Sequence, residues 1–86
     1  MTGMFATSRA GHDKGKLYII IEESEEYVYL TDGRLKPVDR PKKKKKKHIQ
    51  IIRKVDETIQ FMIEEKKPIS NEMVKRAIKE YEHKLV

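Results

Sequence analysis

Short apolar runs separated by glycine, proline and charged residues make up the first half of the chain. Runs of four to eight residues that are rich in β-branched and aromatic side chains predict strands. We predict strands at Met4–Ser8, Leu17–Glu23 and Tyr27–Thr31, and shorter ones at 35–38 and 48–51. Four or five short strands at intervals of roughly ten residues favour a small, closed β-barrel over an open sheet.

The dipeptide Asp32-Gly33 predicts a tight hairpin after the third strand. A type I′ turn needs positive φ at both central positions, and this dipeptide is among those that supply it. The returning strand would be 35–38. Pro37 has no N–H, so this strand is expected at an edge of the sheet, and Pro41 would end it.

The last third of the chain changes to a helical period. The apolar positions of a first predicted helix lie on one face, and Lys66-Lys67-Pro68 is expected to end it. Ser70 or Asn71 would cap a second helix. We expect the two helices to pack as a hairpin against each other or against the barrel, so that residues 1–51 form the barrel and residues 52–86 a helical tail. The two apolar stripes consist of Ile52, Val55, Ile59, Met62 and Ile63, and of Val74, Ala77, Ile78, Tyr81 and Leu85.

The length and composition exclude several classes of protein. A chain of 86 residues is expected to form one small domain with a thin core, too small for most elaborate enzymes. Without cysteine it has no disulfide, no Cys-ligated zinc and no thiol chemistry, which fits a reducing compartment. No apolar run approaches the ~20 residues that span a bilayer, and the N-terminal segment lacks an apolar signal core. We therefore expect a soluble, cytoplasmic protein with no membrane partner.

The positive charge is concentrated in one segment. Residues 36–54 hold ten bases and one acid, a net charge of +9, whereas the whole chain carries +6. So dense a block repels itself and needs either a polyanion or much water around it. A solvated tether is one interpretation. Because the run is central, between segments that are expected to be ordered, a phosphate-binding edge is favoured.

Residues that could carry catalysis are present only as isolated candidates. No histidine has a neighbour at metal-ligand spacing, and no serine lies in a nucleophile elbow. The acids at 22–26 surround a predicted turn and are typical of solvated charge. We therefore expect no enzyme activity, no metal and no cofactor. The candidates were His12, His48, His83, Ser8, Ser24 and Ser70.

The loop at 11–16 has the residues of a phosphate-binding turn. Its glycines allow close approach of a partner, and Lys14 and Lys16 can reach phosphates from either end. It is not a P-loop, because the spacing and the following helix differ. The alternative is a tight inter-strand loop whose glycines only satisfy geometry. Tyrosines at 18, 27 and 29 could stack on bases, but aromatic residues that alternate along strands favour a place in the core.

These residues resemble a known family. The stretch GMFATSRAGHDKGK at 3–16, with the apolar strand after it, resembles a KOW motif, which is found in several ribosomal proteins and in NusG-type transcription elongation factors. With YVYL at 27–30, the later DG at 32–33 and VDRPKK at 38–43, the chain resembles small bacterial KOW-domain proteins related to the 14e family of large-subunit ribosomal proteins. The resemblance covers residues 3–50.

The resemblance implies an SH3-like barrel that binds structured RNA, most of all ribosomal RNA, without catalysis. Its KOW loop would be Gly11, Asp13, Lys14, Gly15 and Lys16, and its basic extension Arg40 and Lys42 to Lys47. Asp13 is expected to order the loop by accepting backbone N–H groups. Specificity is expected from RNA shape and unpaired elements, because no residue pattern indicates base reading.

The sequence thus predicts a non-catalytic RNA-binding protein, ribosomal or ribosome-associated. The alternative is a protein-interaction module, such as a NusG-like accessory factor, that uses the barrel or the helical tail, with ribosomal proteins as possible partners of the tail. The residues predicted to contact RNA are Arg9, Gly11, Lys14, Gly15, Lys16, Arg34, Lys36, Arg40, Lys42, Lys43, Lys44, Lys45, Lys46 and Lys47.

Overall fold

Five strands and two helices follow one another along residues 1–84, the part of the chain that this computed structural model describes. A 3-10 turn at Lys46–His48 links the last two strands. The elements are β1 Met4–Ser8, β2 Leu17–Glu23, β3 Tyr27–Thr31, β4 Lys42–Lys45, β5 Ile49–Val55, α1 Glu57–Glu64 and α2 Asn71–His83.

The strands form one antiparallel sheet in the order β4-β3-β2-β1-β5. The predicted bounds of β1, β2 and β3 are confirmed, as is a mainly β chain with a helical tail. Within residues 1–84 the strand ladders do not join β4 to β5, so closure into a barrel stays a prediction.

The sheet is nevertheless strongly curved. Lys44 on β4 donates a hydrogen bond to Ser8 on β1, although β2 and β3 lie between these strands. Three inter-strand steps of about 4.8 Å in a flat sheet would separate the two backbones by roughly 14 Å, beyond the reach of a lysine. The sheet therefore bends around the face that carries both side chains, which we call the inner face.

Alternating side chains give each face of the sheet its own core. The inner face buries residues of β1, β2, β3 and β5 against one another, and its members are Ala6, Tyr18, Ile20, Val28, Leu30 and Ile49. The outer face packs under the helices, where Phe5 and Ile19 meet Ile59 of α1 and Val74 and Ala77 of α2. Since both helices contribute to this second cluster, the tail packs against the sheet, as one of the two predicted arrangements has it.

The prediction of a hairpin at Asp32-Gly33 with a returning strand at 35–38 is wrong. The strand that pairs with β3 is β4, the lysine run itself, and residues 32–41 form a loop. The Asp32 carboxylate accepts hydrogen bonds from the backbone N–H groups of Arg34 and Lys36, which closes a local turn instead. Gly33 does have a positive φ, +73°, and glycine is required there for a further reason: a Cβ would lie 2.6 Å from the carbonyl oxygen of Asn71 in α2.

The first helix begins later than predicted, and the proposed boundary at residue 51 falls inside β5. Ile52 and Val55 belong to this strand and pair with Phe5 and Met4 of β1, with a shift of register between the two pairs. Asp56 then caps α1 by accepting a hydrogen bond from the Ile59 N–H. The periodicity was misleading because two strand residues happen to continue the spacing of the helical stripe.

The other helix limits agree with the sequence. Lys66 adopts a positive φ of 55° after α1, and the chain leaves the helix there. Ser70 caps α2 by accepting a hydrogen bond from the Met73 N–H. The predicted stripe residue Leu85 lies outside the described residues. In residues 1–84, no helix combines the length and the apolar character that crossing a membrane requires.

Candidate nucleic-acid interface

A buried carboxylate joins the glycine loop to the lysine strand. Asp13 is 6% exposed, and four side chains surround its two oxygens. Lys42 Nζ lies 2.7 Å from Oδ2, and Lys44 Nζ lies 3.0 Å from Oδ1. Ser8 Oγ is 3.0 Å from Oδ1, and the Tyr18 hydroxyl donates to Oδ2 at 3.3 Å. We call Ser8, Asp13, Tyr18, Lys42 and Lys44 the Asp13 cluster.

The hydrogen bonds of the Asp13 cluster hold the carboxylate in its charged form. Burial alone would raise the pKa of Asp13, but the hydrogen bonds from Lys42, Lys44 and Ser8 outweigh burial and hold this pKa well below its usual range. Burial also raises the pKa of the Tyr18 hydroxyl to about 12, helped by the neighbouring Asp13 charge. Both groups therefore keep one protonation state across the neutral range, and the cluster is a fixed structural element.

Lys44 is the most constrained lysine of the run. Its ammonium donates to Ser8 Oγ, to the Ala10 carbonyl oxygen and to Asp13 Oδ1, which uses all three of its N–H donors. Its side chain is 11% exposed. The structure therefore places Lys44 in the framework, with no N–H donor left for a phosphate.

The other two lysines of β4, Lys43 and Lys45, face away from the Asp13 cluster. In the register of the β3–β4 ladder, Lys43 lies opposite Tyr29 and Lys45 opposite Tyr27, so these four side chains share the outer face. The Lys43 ammonium lies 4.3 Å from the centre of the Tyr27 ring, within cation–π distance. We call Tyr27, Tyr29, Lys43 and Lys45 the outer patch.

The last two lysines of the basic run, Lys46 and Lys47, have different surroundings. Lys46 Nζ lies 3.0 Å from the Glu23 carboxylate, which is also bound by the N-terminal ammonium. Hydrogen bonds from that ammonium and from Lys46 lower the pKa of Glu23. Lys47 is exposed and lines a shallow groove with Lys45 and Glu26.

The glycine loop presents its bases to solvent. Arg9, Lys14 and Lys16 are exposed. The loop is held by backbone hydrogen bonds from the Gly15 N–H to the Ser8 carbonyl oxygen and from the Lys14 N–H to the Gly11 carbonyl oxygen. Gly11 and Gly15 both have positive φ, at 88° and 85°, so the turn itself requires glycine at these positions.

The remaining predicted bases lie in the 32–41 loop. Arg34 and Arg40 are exposed, and Lys36 is partly buried. Arg34 and Lys16 line one groove beside Ile78 of α2, so the glycine loop and the 32–41 loop lie next to each other. The predicted site residues thus divide into exposed bases and framework lysines.

Two expectations need correction. The Asp13 carboxylate orders the loop through side-chain donors from β1, β2 and β4, and the backbone N–H contacts that we expected are not its partners in the described residues. Of the three tyrosines, only Tyr18 lies in the core, at 1% exposure; Tyr27 and Tyr29 are partly exposed and join neither core cluster.

Sequence reasoning did not find the partners Ser8 and Tyr18. Their signal was the inward position of each on its strand: Ser8 lies two residues after buried Ala6, and Tyr18 two residues before buried Ile20. A polar atom on an inward position needs a buried partner. Asp13, between two glycines, is the carboxylate that the loop brings to them.

Neither a protein-family model nor a curated protein sequence matches this chain.

Proposed function

We propose that this protein is a non-catalytic RNA-binding protein that contacts phosphates with the outer lysines of β4 and the exposed bases of the glycine loop. One observation carries the proposal: four of the six lysines, Lys42–Lys45, form an ordered strand whose outward side chains take part in no ion pair among the described residues. Within residues 1–84, neither Lys43 nor Lys45 takes part in an ion pair, whereas Lys42 and Lys44 are both paired with the one carboxylate of Asp13.

The order of the strand is what distinguishes it from a solvated tether. A tether would have to lose conformational entropy to bind, but β4 is already paired with β3 along four residues. Exposed bases on β4 and on the neighbouring loops therefore form a prearranged cationic surface. Each phosphate that such a surface neutralises releases counterions, which favours binding to a polyanion.

The resemblance of residues 3–50 to KOW-domain proteins supports RNA, and in particular ribosomal RNA of the large subunit, as the polyanion. Under this proposal the protein acts in the cytoplasm as a ribosomal or ribosome-associated component.

The alternative of a partner helix docking on the tail has less support. The stripe of α2 that would receive such a helix is already used, because Val74 and Ala77 are buried against Phe5 and Ile19 of the sheet. A protein partner would have to use other surfaces.

Binding to a structured ribosomal RNA fragment as a function of salt tests the proposal. With about six phosphate contacts, affinity should fall roughly a thousandfold between about 50 and 200 mM salt. A DNA duplex of equal charge is the control for non-specific attraction. Equal affinity for both nucleic acids, or a flat salt dependence, would contradict RNA binding through these bases.

Sedimentation of native lysate through a gradient at low and high salt tests the ribosomal part. Co-migration with the large subunit supports it, and loss of co-migration at high salt would indicate a peripheral position. A protein that stays at the top of the gradient at low salt would contradict the ribosomal part of the proposal.

A further inference from the structure

Two tyrosines on β3 have no role in the core. Tyr27 and Tyr29 alternate with Val28 and Leu30, which are fully buried on the inner face. Toward the end of β3, Thr31 is also fully buried on the outer side, where its hydroxyl donates to the Lys36 carbonyl oxygen. The outer face of β3 is thus covered at one end and open at the other, where the two rings lie.

The spacing of the two rings excludes a continuous base stack on them. Residues two apart on a strand are separated by about 7 Å, twice the rise of 3.3 to 3.4 Å per residue. Bases in a stacked nucleic-acid strand are about 3.4 Å apart along the axis. Bases that lie on Tyr27 and Tyr29 must therefore be unstacked from each other. Unpaired RNA can splay its bases in this way, and a duplex cannot.

Charges on either side of the rings give the RNA a direction of approach. On β4, Lys43 and Lys45 lie directly opposite the tyrosines, and on β2 the exposed Glu22 lies opposite Tyr29. A phosphate is attracted to the first side and repelled from the second. The RNA backbone would follow β4, with its bases directed over β3.

We infer that the outer patch, Tyr27, Tyr29, Lys43 and Lys45, binds an unpaired RNA segment, with bases stacked on the rings and phosphates on the lysines. The Lys43 ammonium, which lies over the Tyr27 ring in the free protein, turns from the ring to a phosphate when a base stacks there. This inference rests on the proposed function and specifies which RNA element the surface takes. Stacking of a base on an aromatic side chain supplies affinity without reading its sequence, because every base has a π-face. The selectivity is for unpaired over paired RNA.

Variants that change the ring without changing the charge test the inference. The full chain is titrated with an unstructured RNA of about ten nucleotides and with a fully paired RNA of equal charge. Tyr29→Leu keeps an apolar side chain of moderate size, and Tyr29→Phe keeps the ring. We expect Tyr29→Leu to lose about tenfold in affinity for the unpaired RNA with the salt slope unchanged. Tyr29→Phe should bind as the wild type does, and neither variant should alter binding to the paired RNA.

A measurement on the unmodified protein covers the case in which Tyr29→Leu does not fold. The chain contains four tyrosines and no tryptophan, so its intrinsic fluorescence reports tyrosine alone. Bases stacked on the outer patch should quench this fluorescence, and the paired RNA at equal saturation should quench it less.

The outcomes separate the inference from the proposed function. If both RNAs bind and quench equally, and Tyr29→Leu binds as the wild type does, the patch is not a base platform, although phosphate binding stands. If neither RNA binds at about 50 mM salt, the proposed function fails and the inference fails with it.

Discussion

The inner and outer faces of β4 hold the same residue type in opposite circumstances. Lys42 and Lys44 point to the inner face, where both ammonium groups contact the buried carboxylate of Asp13. Lys43 and Lys45 point to the outer face, beside two partly exposed tyrosine rings, and neither is in an ion pair within residues 1–84. Composition treats these four lysines as one charge block. The period of two in a strand assigns one pair to the fold and places the other pair on the outer face.

This difference explains how an edge strand can consist of lysine. Lysine is depleted in strands, and like charges on neighbouring positions repel each other. On the inner face, the Asp13 carboxylate lies between two of the ammonium groups and pairs with both, which offsets one of their two charges and separates them. On the outer face, water and the tyrosine rings surround the others. Edge lysines also discourage pairing with a second sheet, which an unprotected edge strand would invite.

The largest expected effect is on stability, because Lys42 and Lys44 on the inner face share the one carboxylate of Asp13. Asp13→Asn keeps the shape of the side chain but leaves Lys42 and Lys44 close together without a counter-charge. We expect a loss of about 3 kcal/mol in the free energy of unfolding, and a melting temperature lower by roughly 10 to 20 °C. Thermal and urea unfolding followed by circular dichroism measure both quantities.

Asp39→Asn is the matched control for this change. Asp39 is exposed in the 32–41 loop, and its replacement should alter stability by less than about 0.5 kcal/mol. Equal effects of the two substitutions would show that Asp13 has no special role in holding β4.

The stabilisation by Asp13 should disappear in acid. Burial raises the pKa of Asp13, but the hydrogen bonds from Lys42, Lys44 and Ser8 lower it further, so the folded-state pKa lies below the unfolded value of about 3.9. A group with a depressed folded-state pKa stabilises the fold fully above its unfolded pKa and loses this contribution as the pH falls toward the folded value.

The difference in unfolding free energy between the wild type and Asp13→Asn should therefore be constant from about pH 5 to 7 and shrink below about pH 4. Urea unfolding of both proteins over this range measures it. A gap that stays constant down to about pH 2 would mean that the charge of Asp13 is not what stabilises the fold.

Replacing a single lysine of β4 should change stability less than Asp13→Asn does, and the change should differ between the two faces. Lys44→Met removes an ammonium whose three donors are all used, and should cost about 1 to 2 kcal/mol. Lys43→Met removes an outward charge and its contact with Tyr27, and should cost less than about 1 kcal/mol. If Lys43→Met proves the more destabilising in a urea titration, the assignment of the two faces is wrong.

Those elements that depend on local pattern could be predicted from the sequence. The bounds of β1, β2 and β3 follow from short β-branched and aromatic runs, and the cap at Ser70 follows from a hydroxyl before an apolar stripe. Each of these signals lies within a few residues of the structure that it specifies.

The rest depends on contacts between distant parts of the chain. The lysine strand needs Asp13, which is 31 residues before Lys44, and a run of like charge by itself indicates a solvated segment. Asp32-Gly33 has the sequence of a hairpin, but Gly33 meets Asn71 of α2, 38 positions later, and this packing decides the conformation. The charge pattern of the sequence predicts the exposed bases of the candidate site. Only the register of β4 shows which lysines are exposed and which belong to the framework.

The smallest expected effect is on binding. Here the outer lysines should matter more than the inner lysines, the reverse of their effects on stability. If the outer lysines contact phosphates, Lys43→Gln and Lys45→Gln should each lower the slope of log affinity against log salt by about one, with affinity reduced a few-fold at moderate salt. Lys67→Gln is the matched control, because the Lys67 ammonium also lies over an aromatic ring, 5.4 Å from the centre of Phe61, outside the outer patch. Its salt slope should remain that of the wild type, so a loss equal to that of Lys43→Gln would indicate general charge attraction. We expect substitutions of the outer lysines to change binding but not stability, and substitutions of the inner lysines to change stability. This result would show that β4 serves the fold and the ligand through alternate residues.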